Sequence, residues 1–305
     1  MDINNKDDKQ YLEKEILAPS THLAEVNGVI LIGRITWSFN YWFKVPDDLL
    51  RKVTDAWVKL INGVVLIDDI QDNSLVRRGK PTAHLVYGVP LTINSAVQVM
   101  AESMKIALEL APDPSRVKGF ADQFHDMWKG QGTEVYWKHN FICPTEDQYT
   151  KMTHLKTATV ILVGVRLLQV VSDHDKNYDD LARLLGHYSQ LRDDYCNLRA
   201  KELNSNGSFC EDISEGKFSL PIIHASKTSV GSEVLRILRQ RTRDIELKKY
   251  CMSLLEKAGS IQYTRNRLSE LDREARAEVA RLGGNPLLEK CLDDLSSWKD
   301  DVMVR

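Results

Sequence analysis

Apolar side chains recur at intervals of three and four residues along nearly the whole chain, and no segment alternates convincingly with a period of two. That pattern confines the chain to helix-on-helix packing. At Pro46-Asp47-Asp48 a proline opens a first turn, and two acids sit at the positive end of the helix dipole. Apolar residues then recur through Val53, Trp57, Leu60, Ile61 and Val64. A second helical pattern starts at Pro90 and stops near Pro112-Asp113-Pro114. Thr145 and Gln148 fit a capping box ahead of a long apolar segment reaching about Val171. A further helix is expected over about Asp179 to Leu203, followed by a polar loop from Asn204 to Lys217. Charged helices follow, interrupted by Gly283-Gly284-Asn285-Pro286. Without a fixed-length repeat or a linker, residues 1–305 read as one all-α domain of roughly ten helices.

Composition removes several function classes. Lys and Arg number 41 against 43 Asp and Glu, a net charge of −2, so no general basic field is present to hold a nucleic acid. The five cysteines are odd in number and form no CxxC pair, which favours a reducing compartment over a disulfide scaffold or zinc cluster. The N-terminal MDINNKDDKQ lacks the apolar core of a secretory signal. The most apolar stretch, Ala158 to Val171, is interrupted by Arg166 and falls short of the roughly 20 residues of a membrane span. These features give the expectation of a soluble, cytoplasmic protein.

Seven Asp-Asp pairs occur, so a pair alone says little. Asp68-Asp69 differs because it follows the apolar run Ile61-Asn62-Gly63-Val64-Val65-Leu66-Ile67, which belongs inside a protein. Asp72 lies one helical turn after Asp68 on the same face, where like charges destabilise the helix unless a cation compensates. A solvated acidic turn at the end of a core helix is the plainer alternative. Asp193-Asp194, with Asn197 on the following turn, supplies a second acidic face. Two such faces can hold a diphosphate bridged by Mg2+, which takes oxygen ligands and shares carboxylates with substrate phosphates. Arg77, Arg78, Lys156 and Lys217 are the cations that would meet the remaining phosphate charge.

The segment DDIQDNSLVRRGKPTAH, Asp68 to His84, resembles the first aspartate-rich motif of the trans-prenyl diphosphate synthases. Supporting segments are PLTINSA (Pro90 to Ala96), GQGTEVYW (Gly130 to Trp137), LRDDYCNL (Leu191 to Leu198), FCEDISEGKFSLP (Phe209 to Pro221) and GGNPLL (Gly283 to Leu288). The likeness spans about Tyr11 to Leu292 and is nearest to the geranylgeranyl diphosphate synthases of animals and fungi. It implies a helical bundle of the isoprenoid synthase type with a deep central cavity, usually a homodimer, binding three Mg2+ ions and an allylic diphosphate. Carried over by position, Asp68, Asp69, Asp72, Asp193, Asp194 and Asn197 form the metal side. Arg77, Arg78, Lys156, Thr157, Gln190 and Lys217 face diphosphate, with Asp68, Asp72, Lys156 and Lys217 expected to carry the catalysis.

The departures from the family pattern are concentrated where the second substrate, isopentenyl diphosphate, docks. The family's Gly-Lys-x-x-Arg is Gly28-Val29-Ile30-Leu31-Ile32 here, its Leu-His-Asn-Ala is Leu60-Ile61-Asn62-Gly63, and a lysine of the polar loop is Gly207. Arg78 is retained. Each charge-assisted hydrogen bond contributes about 1.5–3 kcal/mol, so losing three removes roughly 5–9 kcal/mol if they add. Arg34 is set about 200° around a helix from Ile32 and would face away from it. Animal terpene synthases that resemble prenyl diphosphate synthases share such losses. The expected activity is therefore a Mg2+-dependent terpene synthase that ionises a C10–C20 allylic diphosphate and releases inorganic diphosphate. The alternatives are a geranylgeranyl diphosphate synthase, or a non-catalytic subunit of one. Trp37, Phe39, Trp42, Phe43 and Trp57 are candidates to face the cation or to be core. In the family, bulky residues four and five positions before the first aspartate shorten the chain tunnel, so Gly63 and Val64 suggest an open one.

Overall fold

A computed structural model describes residues 5–24, 31–174, 176–199 and 209–300. Among them the architecture is all-α. The first helices are α1 (Lys6–Ile16), α2 (Ala18–Ala24), α3 (Leu31–Ser38), α4 (Asn40–Phe43) and the long α5 (Asp47–Gln71). A two-residue ribbon, β1 (Val76–Arg77) against β2 (Lys80–Pro81), precedes α6 (Ala83–Tyr87) and α7 (Val89–Leu110). Then come α8 (Lys118–Asn140), α9 (Glu146–Lys156), α10 (Ala158–Val170) and α11 (Asp179–Leu198). The remainder is α12 (Glu211–Glu215), α13 (Leu220–Ala225), α14 (Gly231–Arg239), α15 (Ile245–Lys257), α16 (Ser260–Arg281) and α17 (Pro286–Leu295). These exceed the roughly ten helices expected, because several periodic segments are cut by short breaks that apolar spacing does not register.

The clearest such break lies in the segment from Thr145 to Val171. The capping box forms, with Gln148 N–H donating to Thr145 Oγ1 at 3.2 Å and Thr145 N–H to Gln148 Oε1 at 2.8 Å. Thr157 then ends α9 and begins α10. Beside it, the Thr159 hydroxyl lies 2.7 Å from the carbonyls of both Leu155 and Lys156, the back-bonding that bends helices. Pro46 is the residue before α5 rather than a member of its first turn. The helix expected to reach about residue 203 ends at Leu198, and part of the expected 204–217 loop is helical at Glu211–Glu215. Residues 204–208 of that loop lie outside the described residues.

Helix α10 organises the packing. Ile161, Leu162, Val163, Val165, Leu167, Leu168 and Val170 are all buried, so it is apolar on every side, as a helix surrounded by others must be. It touches α3, α5, α8, α9 and α11. Each such side chain withdrawn from water stabilises the fold by roughly 1.5–3 kcal/mol. Arg166 reaches the helix margin and binds both Asp179 oxygens at 2.7 Å. No described helix is long and apolar enough to cross a membrane. Phe39, Trp42 and Phe43 pack around Tyr178, and Trp57 donates its indole N–H to the Val160 carbonyl at 2.8 Å. These four aromatics therefore serve the core. At the C-terminal end Asn285 caps α17, its side chain accepting from Leu287 and Leu288 N–H at 3.1 Å.

His187 of α11 is buried against α9. The Thr153 hydroxyl gives its hydrogen to the Thr150 carbonyl at 2.8 Å, so it accepts from His187 Nδ1 at 2.7 Å. Burial, with the neighbouring His154 and Arg267 charges, lowers the His187 pKa to about 3. The unfolded chain takes up this proton near pH 6.5 and the folded one does not, so stability falls as pH drops below 6.5. At pH 5 the loss from this group is about 2 kcal/mol. His187→Gln is expected to reduce the difference in unfolding free energy between pH 7.5 and pH 5 by that amount in urea titrations; an unchanged difference refutes the assignment.

Candidate active site

The last turns of α5 carry the first group of acids. Asp72 caps the helix with its N–H on the Asp68 carbonyl at 2.9 Å, which stacks the two carboxylates one turn apart. The β1–β2 ribbon then folds the chain back through Arg78 and Gly79, both left-handed with φ of 54° and 81°, the geometry of a tight hairpin turn. This return places Arg77 on Asp69, with Nε donating at 2.8 Å, and 3.5 Å from Asp68. From α8, Gln131 donates to Asp68 at 2.8 Å, Lys138 pairs with Asp72, and Glu134 pairs with Lys156. Lys156 also lies 3.4 Å from Asp68.

These surroundings separate the three aspartates electrostatically. Burial alone would raise Asp68, but the charges of Lys156, Arg77 and Lys138 outweigh it and hold the carboxyl well below the usual range. Asp69 is raised to about 6 because burial exceeds the pull of Arg77. Asp72 is raised by burial and by the Asp68 charge, against Lys138. Glu134 is held down to about 2, its burial outweighed by Lys156 and Lys217.

A second group is built from α9, α11 and the α12–α13 turn. Asp194 is fully buried and accepts from Tyr149 Oη at 2.7 Å, Gln190 Nε2 at 2.8 Å and Lys217 Nζ at 2.7 Å. The Thr157 hydroxyl donates to Gln190 Oε1. Lys217 also lies 3.6 Å from Asp212, which burial raises to about 7. Asn197 accepts the Asp212 N–H at 3.1 Å, and Asp193 is exposed beside Arg192. Lys156 and Thr157, adjacent at the α9–α10 break, thus connect the two groups. A pocket of about 320 Å3 opens beside the Lys138–Asp72 pair, lined in part by Asp72, Lys138, Glu215, Arg241 and Arg243.

The expected residues are therefore gathered, but in different states. Asp68, Asp69, Asp72 and Asp194 each accept from a cationic side chain, Asn197 accepts a backbone N–H, and Asp193 is exposed beside Arg192. Among the described residues no group of three or more His, Cys, Asp or Glu side chains is arranged to hold a metal unaided. The donors nevertheless fit Mg2+ chemically: they are all side-chain oxygens, carboxylates apart from Asn197, and Asp69 Oδ2, Glu134 Oε1 and Asp212 Oδ2 are buried without a hydrogen-bond partner. Gln131, Glu134, Lys138, Tyr149, Asp212 and Glu215 had not been singled out. A signal existed for three of them, because Gln131, Glu134 and Lys138 continue the inward helical face of Met127 and are themselves buried.

A sequence profile described as Polyprenyl synthetase matches residues 13–255. The chain belongs to the polyprenyl synthetase family. It is 49% identical over 298 residues to a terpene synthase of Matsumurasca onukii, covering 97% of each chain. It is 39% identical to geranylgeranyl pyrophosphate synthases of Mucor circinelloides f. lusitanicus and Dictyostelium discoideum, covering 96% and 93% of each chain respectively. In this polyprenyl synthetase Ile32 and Ile61 both pack against the hydrophobic core. Arg34 is engaged by Asp294 at 2.6 Å. Val29 and Gly207 lie outside the described residues. The suggested open tunnel at Gly63 is not found there: a Cβ would stand 2.5 Å from Met100 Cγ and 2.7 Å from the Ala96 carbonyl, so α7 fills the space.

Removing Lys156 leaves Glu134 charged and buried. Lys156→Met is expected to lower unfolding free energy by about 3–5 kcal/mol in denaturant titrations. Lys156→Met with Glu134→Leu is expected to restore most of that loss; a double variant as unstable as the single one contradicts the pairing.

Proposed function

We propose that this polyprenyl synthetase is a terpene synthase that ionises an allylic prenyl diphosphate and does not condense it with isopentenyl diphosphate. The observation that carries the reading is the apolar packing of Ile32 and Ile61, where the family pattern has cationic and polar donors. A diphosphate placed against these side chains would be desolvated and unpaired. The 49% identical relative named terpene synthase supports the same reading.

Asp68, Asp72 and Asp193 would hold Mg2+, with Asp69, Asp194 and Asn197 behind them. Bound there, the metal supplies Lewis-acid stabilisation of the departing diphosphate. Lys156, Lys217 and Arg77 bind and orient the diphosphate oxygens through charge-assisted hydrogen bonds, with Thr157, Gln190 and Arg78 completing the contacts. Tyr149, Gln190 and Asp194 fix Lys217 from behind. The allylic cation then loses a proton, cyclises or captures a single water. A prenyltransferase remains the second reading, supported by the 39% identical relatives named geranylgeranyl pyrophosphate synthase.

Incubation with Mg2+ and geranyl, farnesyl or geranylgeranyl diphosphate, with and without isopentenyl diphosphate, separates the two. Hydrocarbon or alcohol from the allylic substrate alone is expected, and Asp68→Ala should abolish it while preserving the helical circular dichroism signal. A longer diphosphate formed only with both substrates establishes the prenyltransferase.

The reading includes a homodimer. Leu85, Val86, Val89, Ile93 and Val97 on α6 and α7 are exposed by 42–55%, a connected apolar face that water would disfavour. Cys143, Cys210, Cys251 and Cys291 are free thiols, in keeping with a cytoplasmic setting. Light scattering is expected to give twice the chain mass, and Val97→Glu a lower value; a monomeric wild type refutes the dimer.

A further inference from the structure

Beyond the carboxylates and lysines stands a residue that contacts both sides of the site. Arg241 lies in the turn between α14 and α15, with a left-handed φ of 48°, a strained conformation for a residue with a side chain. Its Nη2 donates to the Lys138 carbonyl at 2.9 Å, at the end of α8 where the Lys138 side chain pairs with Asp72. Its stem crosses Gly216, the residue before Lys217. A Cβ on Gly216 would stand 3.0 Å from Arg241 Nε and 3.2 Å from Cγ. Gly216 is itself left-handed with φ of 70°, so both sterics and backbone favour glycine there. The Arg241 turn is tied to α12 a second time, Ser214 Oγ donating to the Thr242 carbonyl at 3.1 Å. Arg241 also lines the pocket that contains Asp72, Lys138 and Glu215.

We infer that Arg241 is a positioning residue, which fixes the spacing between the Lys138–Asp72 pair and the Lys217–Asp194 pair across which a diphosphate is held. The inference rests on the proposed diphosphate chemistry but does not depend on whether the product is a terpene or a longer prenyl diphosphate. The reasoning is geometric. Lys138, near the end of α8, and Lys217, in the α12–α13 turn, are distant in sequence, and Arg241 touches the Lys138 backbone and the Gly216 position beside Lys217. A cation displaced by a fraction of an ångström loses much of a charge-assisted hydrogen bond.

The test is calorimetric titration of the full chain with inorganic diphosphate in the presence of Mg2+, alongside thermal unfolding. Arg241→Met keeps the stem over Gly216 and removes the bond to the Lys138 carbonyl. Gly216→Ala keeps the Arg241 charge and blocks its seat. Each is expected to weaken diphosphate binding about tenfold. The double variant is expected to be less than about twofold weaker than either single one, because both disturb one contact. The Arg241→Met thermal midpoint should move by no more than about 2 °C, since the side chain is on the surface. Unchanged affinity in Arg241→Met overturns the inference, as do losses that add in the double variant. If Gly216→Ala fails to fold, the salt dependence of Arg241→Met decides. A slope equal to that of wild type supports positioning, and a reduced slope shows direct charge attraction and overturns it. A wild type that binds no diphosphate removes the underlying functional reading together with this one, whereas tight wild-type binding with an unaffected variant removes this one alone.

Discussion

Carboxylates brought together away from water repel one another and lose hydration, so a chain that gathers them must also supply the compensating charge. Here Arg77, Lys138, Lys156 and Lys217 supply it, each from a different element, and each is in contact with at least one acid of the site. The balance is incomplete. One buried oxygen on each of Asp69, Glu134 and Asp212 keeps no hydrogen-bond partner, and burial raises Asp69 to about 6 and Asp212 to about 7. Under the proposed function, such buried carboxyl oxygens would be completed by a cation and the diphosphate that accompanies it.

Under the proposed function, the opposite requirement governs the position where a second diphosphate would dock. Ile32 and Ile61 join the core, and Arg34 is occupied by Asp294. Under the proposed reading, a site that stabilises a departing diphosphate but has aliphatic side chains at Ile32 and Ile61 would produce a cation with no built-in partner. The same scaffold can therefore serve condensation or ionisation according to a few side chains distant from the acids.

Much of this was legible in the sequence because helical spacing survives local variation. The capping box at Thr145 and Gln148, the break at Gly283 to Pro286, and the stacking of Asp68 on Asp72 were readable from residue type and interval alone. What was not legible depends on contacts between distant segments. Nothing near Asp194 indicates that Tyr149, from α9, will bind it, and nothing near Gly63 reveals that Met100 will fill its missing side chain. The break at Thr157 leaves no mark in the sequence because apolar periodicity continues across it, although it places Lys156 towards one group of acids and Thr157 towards the other.

The hairpin at Arg78 and Gly79 has a consequence for how this chain can vary. It is a two-residue turn with both members in the left-handed region, and it returns Arg77 onto the acids that precede it by only a few positions. A β-branched replacement at either turn position, or one added residue, would slip the ribbon's register and swing the guanidinium to the opposite side. The larger helix–helix interfaces, such as α5 against α7 and α10 against α11, do not involve the ribbon and would persist. Drift in this short stretch would therefore yield well-folded descendants whose acids had lost their nearest counter-ion, an evolutionary route by which activity is silenced while the architecture persists.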